Sequence, residues 1–62
     1  MNRPPSGTMV HWRFKGTPRP WHFGYVTYER GYDLVRMGTW NGDTTHGNVV
    51  SISEIEWKSY RA

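Results

Sequence analysis

The chain contains no cysteine. That absence excludes disulfide staples and thiolate metal sites and argues against a secreted mini-protein scaffold, so a reducing, cytoplasmic setting is the expectation. No run of about 18 apolar residues is present to span a membrane as a helix. The opening Met1-Asn2-Arg3-Pro4-Pro5 lacks the apolar stretch of a signal peptide. A soluble protein with no membrane partner is therefore expected. Acidic residues are scarce, five against eight Lys and Arg, for a formal charge of +3. No segment keeps helical spacing for about ten residues, and no internal repeat is found.

What the chain has in abundance is rings: four Trp, four Tyr and two Phe among 62 residues. A chain this short makes one domain and buries only about 60% of its unfolded surface. Its core must come from a few large side chains, and each aromatic ring can bury roughly 150–250 Å². Six of the eight cations are Arg, the cation that stacks on planar groups and forks onto phosphate.

Residues 1–7, with Pro4, Pro5 and Gly7, show no periodicity and read as a flexible N-terminal arm ahead of a domain over 8–62. From Thr8 to Lys15 the chain alternates, Val10, Trp12 and Phe14 on one face and Met9, His11, Arg13 and Lys15 on the other. Gly16-Thr17-Pro18-Arg19-Pro20 breaks this first strand and exposes Arg19. Residues 21–29 are dense in β-formers, and Gly24 within them predicts a bulge or sharp bend. Arg30-Gly31 is a turn into a third strand, Tyr32–Met37. Residues 38–48 form a longer loop with its turn at Asn41-Gly42. Val49–Ile52 is a fourth strand, Ser53-Glu54-Ile55 a single helical turn, and Glu56–Tyr60 a fifth strand. Five short strands on Gly/Pro turns predict an all-β barrel or sandwich, and the length selects the barrel.

The spacing of Gly7, Val10, Trp12, Gly16, Trp21, Gly24, Val26, Gly31, Val35, Val50, Ile52 and Ile55 resembles the SH3-like barrels of the Tudor and KOW type, over residues 7–57. These are fold-making positions, and they imply a single five-stranded SH3-like barrel. Val10-His11-Trp12 followed by His22-Phe23-Gly24-Tyr25-Val26 resembles the first two strands of cold-shock domains, which implies base stacking for Phe23 and Tyr25. The third strand, Leu34-Val35-Arg36-Met37, departs from that family's aromatic pattern. The type II dihydrofolate reductases are also short SH3-like barrels, but Val50-Ser51-Ile52-Ser53 lacks the Gln and Tyr of their Val-Gln-Ile-Tyr pore.

His11, His22 and His46 do not pair at the spacings of a metal site, and Ser51, Ser53 and Ser59 have no evident His/Asp partners. Glu54 and Glu56 read as dressing on the last strand rather than an acid/base pair. Neither enzymatic activity nor a cofactor is expected. A stronger constellation comes from combining strand faces. With Val10, Trp12, Phe14, Val26, Tyr28, Val35 and Met37 inward, Arg13, Lys15, Phe23, Tyr25, Tyr32, Leu34 and Arg36 point outward. Together with Arg19, these interleaved rings and cations suit a single nucleic-acid strand, whose bases stack while Arg and Lys neutralise its phosphates. A plainer reading is that Tyr25 and Tyr32 merely cover a barrel too small to hide its rings.

Trp21 and Trp40 fall beside loops, where large apolar side chains often serve contacts. The Tudor resemblance implies an aromatic cage for a methylated Lys or Arg, assembled from Trp21, Tyr28 and Trp40. A module or small inhibitor that docks on a larger protein is thus the alternative to nucleic-acid binding. Self-association into a homo-oligomer through open edges and surplus rings is a third reading.

Overall fold

Five short stretches of alternating apolar and polar residues form strands: β1 Met9–Phe14, β2 His22–Tyr28, β3 Leu34–Gly38, β4 Asn48–Ser51 and β5 Ile55–Ser59. One 3-10 turn, Ile52–Glu54, joins the last two. The computed structural model describes residues 3–29, 31 and 33–60. The strands lie antiparallel in one sheet of order β4-β3-β2-β1-β5, the all-β architecture that the strand spacing predicts. Each expected element is present within one or two residues of its sequence-derived bounds.

No ladder joins β4 to β5 among the described residues, so hydrogen bonds do not close the sheet. The short turn between these edges is tied elsewhere: Ile52 N–H donates to Asp33 O at 2.9 Å, and Lys15 N–H to Glu54 O at 3.0 Å. Among the described residues no helix is long and apolar enough to cross a membrane.

Directly opposed residues of an antiparallel pair share a face. The pairs Val26↔Met37 and Val35↔Val50 therefore gather apolar side chains on the inner side of the sheet. Val10, Trp12, Val26, Val35, Met37, Val50 and Ile55 are buried there, with Tyr28, Ile52 and Trp57 packed against them. Phe14, expected in this core, is 43% exposed. It ends β1 at the rim, edge-on to Trp12 at 5.4 Å and opposite Ile55, the first residue of β5, where the chain turns away through Gly16.

Of the bulge or sharp bend expected at Gly24, the bulge is absent. The β1–β2 register runs through it without a bulge, with Val10 opposite Gly24 and Met9 opposite Tyr25. A glycine is needed for space: a Cβ here would lie 2.8 Å from both Trp12 Cδ1 and Met37 Sδ. Gly24→Ala should overpack this layer and cost about 1–3 kcal/mol, read as a lowered urea midpoint at unchanged m-value. An unshifted midpoint would mean that the Trp12 ring can move aside.

Residues 3–7, expected within a flexible arm, lie against the sheet. Pro4 is fully buried, its carbonyl accepts from the Tyr28 hydroxyl at 2.6 Å, and Gly7 N–H donates to Val26 O at 2.8 Å. Two backbone anchors and a buried ring hold a segment whose sequence has no periodicity to announce it. The rest of the expected arm, Met1 and Asn2, lies outside the described residues, as does Arg30 of the β2–β3 turn.

Candidate functional site

The outer face of β2, β1 and β5 gathers rings and cations. His11 stands opposite Phe23 on one side and Lys58 on the other, and Arg13 opposite Glu56, so all five share this face. Tyr60, just beyond β5, completes a triangle of rings. His11–Phe23, His11–Tyr60 and Phe23–Tyr60 centroids are 5.2, 5.1 and 5.2 Å apart, tilted or edge-on. Such geometry is the favourable one for aromatic pairs, and it leaves Phe23 57% exposed.

Trp21 flanks the cluster at the start of β2. Arg13 Cζ lies 4.1 Å and Lys58 Nζ 4.7 Å from the centre of its ring. Arg13 is held from below by Glu56, with Nε to Oε2 at 3.0 Å, and also donates to Arg19 O at 3.3 Å. Exposed cation–π contacts contribute about 0.5–1 kcal/mol each, enough to orient these side chains over Trp21.

The loop after β3 is built around one carboxylate. Asp43 is only 2% exposed. Its Oδ2 accepts from Thr39 N–H at 2.7 Å and the Thr39 hydroxyl at 3.1 Å. Its Oδ1 accepts from Thr45 N–H at 3.1 Å and His46 N–H at 2.9 Å, and lies 3.1 Å from His46 Nδ1. A carboxylate only accepts, so Nδ1 carries the imidazole proton in this contact. Burial by itself raises the Asp43 pKa, but the N–H donors of Thr39, His46 and Thr45 outweigh it and hold the carboxyl well below its ordinary value. Asp43 N–H also donates to Trp40 O at 3.0 Å, and Gly42 has φ 96°. Residues 40–43 thus form the expected Asn41-Gly42 turn, of type II. The turn presents Trp40, 54% exposed, against the His46 ring at 4.9 Å.

Of the residues the sequence singles out for nucleic acid, Arg13, Phe23, Tyr25 and Arg36 share the outer face, and Lys15 and Arg19 are exposed in the β1–β2 connection. Tyr32 lies outside the described residues. Arg36 is bound to Glu29, Nε to Oε2 at 2.9 Å. The rings expected to form a cage are not brought together. Trp21 and Tyr28 lie at opposite ends of β2, about 20 Å apart at strand rise, and Trp40 packs on His46 in another loop. Tyr28 turns inward toward the core and Pro4.

The three histidines go to three places: His11 to the ring triangle, His22 against Trp12, and His46 to Asp43. Among the described residues no three potential ligands converge on a metal site. Lys58, Tyr60 and Asp43 were not singled out by sequence reasoning. Alternation in β5 puts Lys58 and Tyr60 on one face, but only the β1–β5 pairing says which rings they meet. A hollow of about 550 Å³ lies over Ile52, Ile55 and Trp57 beside the β4–β5 corner. Lys15, Asp33 and Glu56 ring it with both signs of charge, so it selects no ligand charge.

Fold and face together define a small all-β sheet protein with an aromatic, cation-flanked outer surface. The chain matches no protein-family model, no curated protein and no solved structure.

Proposed function

We propose that the protein is a non-catalytic binding module whose outer face takes a single-stranded nucleic acid. The observation that carries this reading is the exposed Phe23 ring, braced by His11 and Tyr60 and flanked by Trp21 with its two cations. Bases stack on such rings for about 1–3 kcal/mol each, with little regard to sequence. The chain's charge of +3 favours phosphate. Five short antiparallel strands, with Val50 and Ile52 packed ahead of the last and Ile55 opening it, support reading the sheet as an SH3-like barrel left open at one seam.

The ion pairs revise the charge side of the proposal. Arg13 and Arg36 already face carboxylates, which among the described cations of the outer face and the β1–β2 connection leaves Lys58, Lys15 and Arg19 to meet phosphates. Neutralising about three phosphates of a single strand gives log affinity against log salt a slope of about −2. An amide NMR titration with a mixed-sequence single-stranded oligonucleotide should show shifts at His11, Arg13, Phe23 and Lys58, with that slope. Shifts that ignore salt, or none at millimolar strand, would overturn the proposal.

A second reading, docking on a larger protein, rests on Trp40. An exposed Trp on a pre-organised loop has the form of an interface anchor. The two readings separate on salt, because burying a ring against a protein is far less salt-sensitive than pairing phosphates.

A further inference from the structure

Beside the ring triangle runs a groove of about 300 Å³, lined by Met9, Phe23, Tyr60, Thr39 and Asn41. Its two sides have different origins and different chemistry. Met9 and Phe23 come from the sheet and Tyr60 from just beyond β5, and they make it apolar and aromatic. Thr39 and Asn41 come from the loop after β3 and form a polar lip. That lip is held from within, because Asp43 binds both Thr39 donors and its own N–H closes the turn containing Asn41. Asn41 itself is exposed, and its amide offers donors and an acceptor side by side.

Resting on the nucleic-acid reading, we infer that this groove is a base-binding subsite: one unpaired nucleobase stacks on the Phe23/Tyr60 side while the Asn41 amide hydrogen-bonds its edge. Three features select a base over other occupants. Among the described residues no charged side chain lines the groove, so these offer a phosphate no partner inside it. Phe23 and Tyr60 meet edge-on at 72°, so a flat base can lie face to face on one of them with its rim toward the other, and it carries the adjacent donor and acceptor that an amide can pair. Lys58 lies opposite His11, which touches both Phe23 and Tyr60, and its Nζ stands over Trp21, so a cation shares the outer face along which the phosphates of the same strand would run. The net positive charge of the chain works in the same direction.

The groove does more than add a stacking surface. Stacking alone tolerates any base, whereas an amide held on a rigid lip distinguishes base edges. The module should therefore show a modest base preference at one nucleotide, superimposed on sequence-tolerant binding elsewhere.

The test uses the full chain, with oligo-dA, oligo-dC and oligo-dT of equal length and a strand of the same length carrying only abasic sites. With the wild-type protein, the base-bearing strands should shift the Met9 methyl and Asn41 side-chain amide resonances, and the abasic strand should not. Asn41→Ala should weaken the preferred strand about tenfold, the size of one polar base contact. It should also narrow the spread among the three strands and leave the salt slope unchanged. Asn41→Asp, which keeps the shape but loses the donors, should likewise narrow the spread among the three strands, while its added negative charge weakens every strand. The inference is overturned, with the proposed function intact, if strands bind with Phe23 and Lys58 shifting while Met9 and Asn41 stay silent and the variants bind as wild type. It is equally overturned if a Trp-containing peptide shifts Met9 and Asn41 and no strand does, which assigns the groove to a protein side chain. No binding of any strand to the wild type removes the proposed function itself.

Discussion

Trp12→Ala should leave the protein largely unfolded at room temperature. Trp12 is 4% exposed, stands opposite Trp57 across the β1–β5 pair, and packs against the rings of Phe14 and His22 at 5.4 and 5.1 Å. Its indole N–H donates to Phe23 O at 3.2 Å, so it joins β1 to β2 by a side-chain bond as well as by packing. Removing a buried Trp costs about 3–5 kcal/mol. At ~0.05–0.15 kcal/mol per residue, a chain of this length holds roughly 3–9 kcal/mol in all, so one truncation consumes much or all of it. Collapsed amide dispersion and loss of cooperative melting are the expected readouts. Trp12→Phe keeps a ring in the layer but leaves the Phe23 carbonyl without its indole partner. It should fold, less stably by about 1–3 kcal/mol. A Trp12→Ala protein that melts like wild type would show that the other six buried residues suffice as a core.

The second large effect is expected at Asp43, and it is a loss of loop order rather than of the sheet. Five donors converge on its two oxygens, three of them backbone N–H groups. Asp43→Ala leaves those donors without their acceptor in a position that is 2% exposed, and water must enter or the loop must open. Asp43→Asn is the sharper test. An amide offers one acceptor oxygen, so its NH₂ must face either Thr39 N–H or the Thr45 and His46 N–H groups, donor against donor. Asn should therefore fail to rescue, and both variants should speed hydrogen exchange at Thr39, Thr45 and His46 and randomise the Trp40 ring. Restoration of wild-type exchange by Asn would show that carboxylate charge is not what organises the loop.

The same carboxylate sets a pH dependence. Its pKa is held below the ordinary 3.8 in the folded chain. The stability it contributes is therefore fully present above about pH 4 and drains away as acid protonates it through its folded value. Loop order in the wild type should persist through mild acid and fail only in strong acid. In Asp43→Asn that acid transition should be absent. An Asp43 loop that opens in step with ordinary carboxylates would contradict the depressed pKa.

The candidate site was partly legible. Arg13, Phe23 and Tyr25 fall on the outer face because alternation along β1 and β2 puts them there. The ion pair that occupies Arg13 was not legible, since Glu56 lies 43 positions away and nothing local couples them, whereas Glu29 reaches Arg36 across only the β2–β3 hairpin. The cage of Trp21, Tyr28 and Trp40 failed for a related reason. Nearness to loops says that a ring can be exposed, but the length of β2 separates the first two, and a local hydrogen-bond hub commits the third to His46. Asp43 was hidden because a short acidic side chain in a Gly-rich loop reads as a solvated turn residue. It becomes a buried hub only when Thr39, Thr45 and His46 fold around it.

By itself the sequence determined where the strands lie and most of the side chains they bury, Phe14 at the end of β1 excepted. Val10 with Trp12, Val26, and Val35 with Met37 sit at a period of two, a property of the backbone of each segment alone. Gly and Pro likewise ended the segments through local dihedral limits. The tertiary structure alone decided which strands become neighbours. The pairing of β1 with β5 carries Lys58 and Tyr60 to His11 and Phe23, gives Arg13 its partner, and sets the ring triangle beside the loop that carries Asn41. Such pairings depend on how the whole sheet buries its inner face, a sum over distant residues that no local pattern encodes.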